Sequence, residues 1–438
     1  MKHSRLAYRF ASRIGSLLLL SVLLLASCSK DKNEKAEALF STVPEKAQAV
    51  ALVDIEKIAD GFGSLDALFS RLPDGNTADA AQAKDLLSTV DMTGYAVIFA
   101  DGFHWYATAL LDDPSAFMEK YSKIEKGGAF AEKNGVNVLG KVAVKDDQLW
   151  IKLNGNDVDP LDIKGYAALS DNDSFMACKY HEKMIESGRD VAFLGSLSGL
   201  VSQVVKGQSD STMTQLVLST LFKDAQFLAG TLAFEKGKGE AAVEVLDSKF
   251  GAAPFLLPVG TVDVNTVKQL GETADLVGAV AISSKLVDKV ASLGSAFGGA
   301  LPDVYLNILR PVDGTVAVCG GTAPGSMSGI VTTNGSDTSA LFGMINSAGN
   351  MRVKKEGNLV IFNQGEPVAG ALNVAEQAEL MKGVMAGYAS ADVSREWTER
   401  GVSHIFVGLY SDKGSVRLKC TFFGTDPKAN ILSNIKFK

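Results

Sequence analysis

Histidine and cysteine are scarce in this 438-residue chain, and the spacing of its motif-like residues excludes more chemistry than it supports. Beyond residue 27 the only histidines are His104, His181 and His404. His181-Glu182-Lys183-Met184-Ile185 begins like the helix of a zinc protease, but Ile185 stands where the second histidine ligand is required. A single imidazole does not hold zinc, so the pair reads as part of a surface helix. Gly195-Ser196-Leu197-Ser198-Gly199 and Gly325-Ser326-Met327-Ser328-Gly329 have the outline of a nucleophile elbow, with Leu197 and Met327 where the serine belongs. Both read as turns. Glycine clusters at 294–299 and 320–321 lack the residue order of a phosphate or dinucleotide loop. Asp171-Asn172-Asp173 opens like a calcium loop, then offers Phe175 and Met176 where an oxygen ligand and a glycine are needed. Asp157-Val158-Asp159-Pro160-Leu161-Asp162 is acidic but suits an exposed turn. No catalytic residue, metal site or cofactor is expected.

The aromatic group Phe103-His104-Trp105-Tyr106, with Trp150, is the best candidate for touching a ligand. Alternation along a strand puts Phe103 and Trp105 on one sheet face and His104 and Tyr106 on the other. An exposed Trp105 or Trp150 would stack on a sugar; a buried one supplies packing area. Cys178, Cys319 and Cys420 are far apart, with no Cys-x-x-Cys and no adjacent histidine, which argues against zinc. Their odd number forbids a complete disulfide framework and leaves at most one pair. Cys319 and Cys420 lie in alternating apolar runs and are expected to face inward as small hydrophobes.

The sharpest motif is Leu25-Ala26-Ser27-Cys28. It follows a basic start (Lys2, Arg5, Arg9, Arg13) and an apolar run from Ile14 to Leu25, shorter than the roughly 20 residues of a membrane span. This is a secretory signal ending in a lipobox, so residues 1–27 are expected to be removed and Cys28 lipidated. Two or more acyl chains give stable anchoring. Residues 28–42 begin with a polar stretch, Ser29 to Lys35, and read as a tether with no reason to pack. Removing the leader's four basic residues from the total of 43 leaves 39 against 50 acidic ones, a net charge of −11. That balance argues against nucleic acid, which needs a basic footprint.

The elements that must position these residues recur. Ala47 to Val53 reads as a strand, and Asp54 caps a helix carrying Ile55, Ile58, Phe62 and Leu65. Pro73-Asp74-Gly75-Asn76 reads as a turn. Tyr95 to Phe99 and Trp105 to Leu111 form a strand pair, Asp113-Pro114 starts a helix, and Val136 to Val144 and Leu149 to Leu153 are further strands. Val191 to Leu194 begins another strand, followed by an amphipathic stretch from Leu197 to Val205. A similar series starts at Val277 to Ile282, with strands at Val316, at Gly329 to Val331 and at Leu359 to Phe362. Hairpins close both series: Phe227 to Phe234 with Ala241 to Leu246, and His404 to Tyr410 with Val416 to Phe422. The fold class expected is α+β. Two related halves, 43–250 and 263–438, each form an antiparallel-rich sheet with helices on one face, and Asp247 to Val262, with Pro254 and Pro258, is a linker or an edge segment where they meet.

The lipobox, the strand-helix start, the Asp190-Val191-Ala192-Phe193 start and the paired closing hairpins resemble a family of uncharacterised Bacteroidota lipoproteins. The resemblance covers most of the mature chain and implies no catalytic residues. It implies a protein held in the outer membrane by lipid on Cys28, facing the periplasm or the cell surface. The expected role is non-catalytic binding or envelope assembly, with an envelope protein as partner. The alternative is a glycan- or small-ligand-binding lipoprotein of a nutrient-uptake system. Plentiful carboxylates leave hydrolysis by an Asp/Glu pair as a third reading.

Overall fold

The computed structural model describes residues 32–63, 77–125, 128–199, 220–296, 303–323, 325–348, 351–391, 401–412 and 414–434. Cys28, the turn at Pro73 to Asn76 and the stretch from Leu200 to Val205 lie outside them.

Ten strands belong to the first half: β1 (Ala49–Asp54), β2 (Tyr95–Asp101), β3 (His104–Leu110), β4 (Ala131–Lys133), β5 (Val136–Leu139), β6 (Val142–Lys145), β7 (Gln148–Lys152), β8 (Val191–Ser196), β9 (Phe227–Glu235) and β10 (Lys238–Leu246). Ten more follow: β11 (Thr273–Ala274), β12 (Leu276–Ile282), β13 (Val312–Gly320), β14 (Met327–Thr333), β15 (Arg352–Glu356), β16 (Leu359–Gln364), β17 (Leu372–Asn373), β18 (Val384–Ser390), β19 (Val402–Asp412) and β20 (Ser415–Gly424). β11 and β17 form a small ribbon of their own. The other eighteen make one antiparallel sheet, in the order β4-β5-β6-β7-β3-β2-β1-β8-β9-β10-β20-β19-β18-β12-β13-β14-β16-β15. Outward from the β10–β20 seam, the order 9-8-1-2-3-7-6 on one side faces 19-18-12-13-14-16-15 on the other.

The chain is therefore α+β, with one correction. Helices were expected on one face of each sheet; they cover both faces of the first half. On one face helices Ile55–Phe62 and Pro114–Ile124 bury Ile58, Phe62, Phe117 and Tyr121 with Val53, Ala109 and Leu149. On the other, helices Lys32–Phe40, Pro160–Tyr166 and Tyr180–Glu186 cover Leu52, Val97, Tyr106 and Trp150. Central strands covered twice need apolar residues at successive positions, and β1 is buried from Leu52 to Asp54. Asp54 ends that strand and caps the next helix, accepting from the Lys57 N–H at 3.1 Å. Asp113 and Pro114 start the later helix in the same way.

The tether reading fails from Lys32 onward. Lys32–Phe40 is a helix whose Lys35, Ala36, Leu39 and Phe40 are buried. Its polar start conceals three ion pairs: Lys32 to Asp54 at 2.7 Å and to Glu56 at 2.9 Å, and Lys35 to Asp91 at 2.7 Å. The segment where the halves meet is packed and forms isolated bridges, Leu246 with Ala252 and Phe222 with Phe255, as an edge segment does. The segment after β10 reaches the second half, where the Phe255 N–H donates to the Gly414 carbonyl at 2.6 Å. The segment after β20 returns to the first, where the Gly237 N–H donates to Ala429 at 2.8 Å and Leu432 is buried beside Ile58. Gly237 (φ 72°) and Gly414 (φ 85°) sit at the tips of the two closing hairpins, in the left-handed conformation such turns require. Each tip is thus held by the tail of the other half.

Candidate functional site

The seam where β10 meets β20 has two chemically different faces. On one, the register sets Glu244 opposite Arg417 and Ala242 opposite Lys419. Arg417 Nη2 lies 3.1 Å from Glu244, and Glu240 accepts from Lys238 at 3.0 Å with Lys419 3.8 Å away. The Lys238 hydrogen bond holds the Glu240 carboxyl below its ordinary range. Tyr180 and Arg189 wall this trough, whose floor is Ala229, Gly230 and Thr231, and the cavity measures about 220 Å³. Burial pushes the Tyr180 hydroxyl up to about 12. Its charges are satisfied by one another, and exposed pairs of this kind contribute little to stability.

The opposite face carries no charge. Following the register across nine strands gives one row: Phe193, Gly230, Val243, Leu418, Leu409, Ala386, Val280, Val316, Val331. The row beside it reads Val191, Leu232, Ala241, Cys420, Val407, Tyr388, Gly278, Val318, Gly329. Leu418 is 41% exposed, Tyr388 39% and Val280 36%. Val243, Cys420, Val407 and Leu409 are half-buried. Beyond β12 the rows pass beneath the helix Ser339–Ser347, with Val331 buried and Val316 and Val318 packed in the same cluster as Leu341 and Ile345, and at the other end Val191 packs against the core of Ile58 and Phe62. Between these ends, from β10 to β12, a solvated antiparallel face would ordinarily alternate to polar residues, so the apolar patch there marks a surface that something else covers. Gly230 is needed here: a Cβ would sit 2.4 Å from the Phe193 ring and 2.5 Å from the Ala242 carbonyl oxygen.

The residues singled out in the sequence do not converge. Trp150 is fully buried, stacked on Tyr166 with ring centroids 5.8 Å apart and meeting Phe99 edge-on. It faces Thr108 across the sheet, on the face opposite Trp105. Trp105 is half-buried, while Phe103 beside it is exposed. The two tryptophans cannot form one sugar platform. His181 packs inward against Phe40, with Nδ1 2.8 Å from the Cys178 carbonyl, so it is no surface residue. Asp159 and Asp162 do not form an exposed turn. Asp159 caps the helix Pro160–Tyr166, and Asp162 accepts from the Tyr106 hydroxyl at 2.9 Å. Cys178, Cys319 and Cys420 are free thiols, each pushed up by burial. Cys319 is buried as expected, whereas Cys420 lies half-buried in the strip. Among the described residues, no three His, Cys, Asp or Glu side chains gather as metal ligands, and no helix is long and apolar enough to cross a membrane.

Fold and seam together define an α+β protein built on one continuous antiparallel sheet, with an uncharged strip across its middle. No family model matches the chain, and no curated protein matches it. Among solved structures it is similar to crystal form I of TP0453, at 10% identity over 78% of this chain and 96% of that one, with a TM-score of 0.29. Crystal form III of TP0453 gives 9% identity over the same shares and a TM-score of 0.26. A likeness this slight does not relate the folds.

Proposed function

We propose that this chain is an exported, non-catalytic binding protein, held in the outer membrane by lipid on Cys28, that engages a partner protein of the envelope through the apolar strip over its seam. One observation carries the reading: between β10 and β12 the two cross-strand rows are uncharged, and Leu418, Tyr388 and Val280 within them are more than a third exposed. Burying such side chains against a partner yields roughly 25 cal/mol per Å² of apolar area, before the costs of association. The glycan reading loses Trp150 to the core and keeps only Trp105, half-buried beside the exposed Phe103.

In-cell cross-linking tests this directly. Leu418→Glu places a charge at the centre of the strip on an exposed side chain, where the fold tolerates it. Wild type is expected to yield a defined cross-linked envelope protein, and Leu418→Glu to lose it with unchanged thermal stability. A wild-type chain that cross-links to nothing, or a variant that still captures the same protein, overturns the reading. The anchor is read separately: Cys28→Ala should move the chain from the membrane to the soluble fraction and abolish labelling by radioactive palmitate.

A further inference from the structure

A second feature of the first half is a cavity of about 150 Å³ between the sheet and the helix Ile55–Phe62. Its walls are Val53, Ile58, Leu149 and Ile151, and its hollow is made by alanines at 96, 107 and 109. Register explains the hollow. Ala96 pairs with Ala109, and Ala107 with Ile98, so small side chains face the same helix where larger ones would fill the layer. Protein interiors are close-packed, and voids larger than a water molecule are few. Water does not belong in this one: a bound water needs two to four polar partners, and the only polar lining residue, Thr108, is engaged by the Gln148 side chain at 2.8 Å. Ile98 and Val191 line the cavity while remaining half-buried, which places its mouth at their end.

We infer that this cavity binds the alkyl chain of an amphiphile. An apolar space of about 150 Å³ accepts a benzene-sized guest, so it holds a chain terminus and not a whole lipid. With no polar group converging on it, the site recognises hydrocarbon alone. The polar end of the ligand stays outside, past Ile98 and Val191. Phospholipid tails and free fatty acids share that chemistry. The cavity meets the end of the partner-binding rows at Val191, but the residues that report on it, Ile58, Leu149 and Ile151, lie outside those rows, so the two readings fail separately.

The test uses the full chain titrated with octanoic acid, and separately with dihexanoylphosphatidylcholine below its micelle concentration. Calorimetry should show saturable binding of at least one. Methyl resonances of Ile58, Leu149 and Ile151 should shift with the same midpoint. Binding of octanoic acid alone identifies free amphiphiles as the source; binding of both identifies the chain itself as the recognised group. Ala107→Leu, which fills the hollow, should weaken binding at least tenfold, and the milder Ala96→Val should weaken it measurably if the larger substitution does not fold. The inference is overturned if neither compound binds wild type, if the shifts fall outside the cavity, or if a folded filling variant binds as tightly as wild type.

Discussion

At the scale of single residues, chemistry-bearing side chains turn out to be structural, and Trp150 is the clearest case. Its ring is fully buried, yet its Nε1–H has no hydrogen-bond partner. Leaving such a donor unpaired costs about 1–3 kcal/mol, whereas removing a large buried aromatic costs about 3–5 kcal/mol when truncated to alanine. Trp150→Phe removes the unpaired donor while keeping a stacked ring against Tyr166. Denaturant unfolding should find it destabilised by less than about 2 kcal/mol, and well above Trp150→Ala in stability. Next to it, Tyr106 donates to Asp162 at 2.9 Å and Tyr166 to Asp101 at 2.8 Å. Burial first, then these carboxylates, raise both hydroxyls above their ordinary value. The folded state therefore keeps protons that the unfolded chain releases above about pH 10, so stability is full below that point and falls as pH rises beyond it. Urea midpoints measured at pH 8 and pH 11 should drop, and the drop should shrink in Tyr166→Phe. None of this was legible in sequence: alternation predicted the faces of Phe103 to Tyr106, but not which face a helix would cover.

The helix Lys32–Phe40 teaches most at the scale of elements. Its lysine-rich start looks like solvated tether, because the sequence does not reveal that Asp54 and Asp91 await it. Lys35 is buried, 2.7 Å from Asp91, and donates to Thr93 Oγ1 at 2.6 Å. Asp91 is engaged by the Thr93 N–H and hydroxyl as well, so one missing partner leaves a buried carboxylate underpaired. Breaking a buried pair costs about 3–5 kcal/mol, against little for replacing both members by apolar residues. Lys35→Ala should lose that amount in denaturant unfolding, and Lys35→Met with Asp91→Leu should recover most of it. Strands were read more successfully where alternation or a turn signal bounded them, as in β2, β3, β9, β10, β19 and β20. β18 escaped notice because Ala386, Gly387 and Ala389 have weak strand preference, although it lies between β12 and β19 in the sheet. Short helices such as Val374–Leu380 are likewise made by tertiary packing, which buries Val374 and Ala378, more than by local propensity.

For the whole molecule, the seam makes the two halves mutually dependent. β10 and β20 pair from Lys238 opposite Phe423 to Glu244 opposite Arg417, so either half alone would expose a long edge strand. In the first half that edge carries Val243 and Val245, with an uncharged face behind it, which is a template for pairing with another chain. Each half would also lose the tail that closes its hairpin tip, Phe255 on Gly414 or Ala429 on Gly237. The strand order running outward from the seam repeats closely enough that we propose the halves arose by duplication. Their present folding is nonetheless joint. Thermal unfolding of the full chain should be a single transition, with Leu432→Ala in the C-terminal tail and Val53→Ala in the first half both lowering it. A fragment ending at Val262 should associate through β10 instead of remaining monomeric. Adding the complementary fragment, beginning at Asp263, should suppress that association and restore a stoichiometric complex, as size-exclusion chromatography with light scattering would show. A monomeric, cooperatively folded fragment from either half would mean that the seam joins two independent domains and that the tails are ornamental.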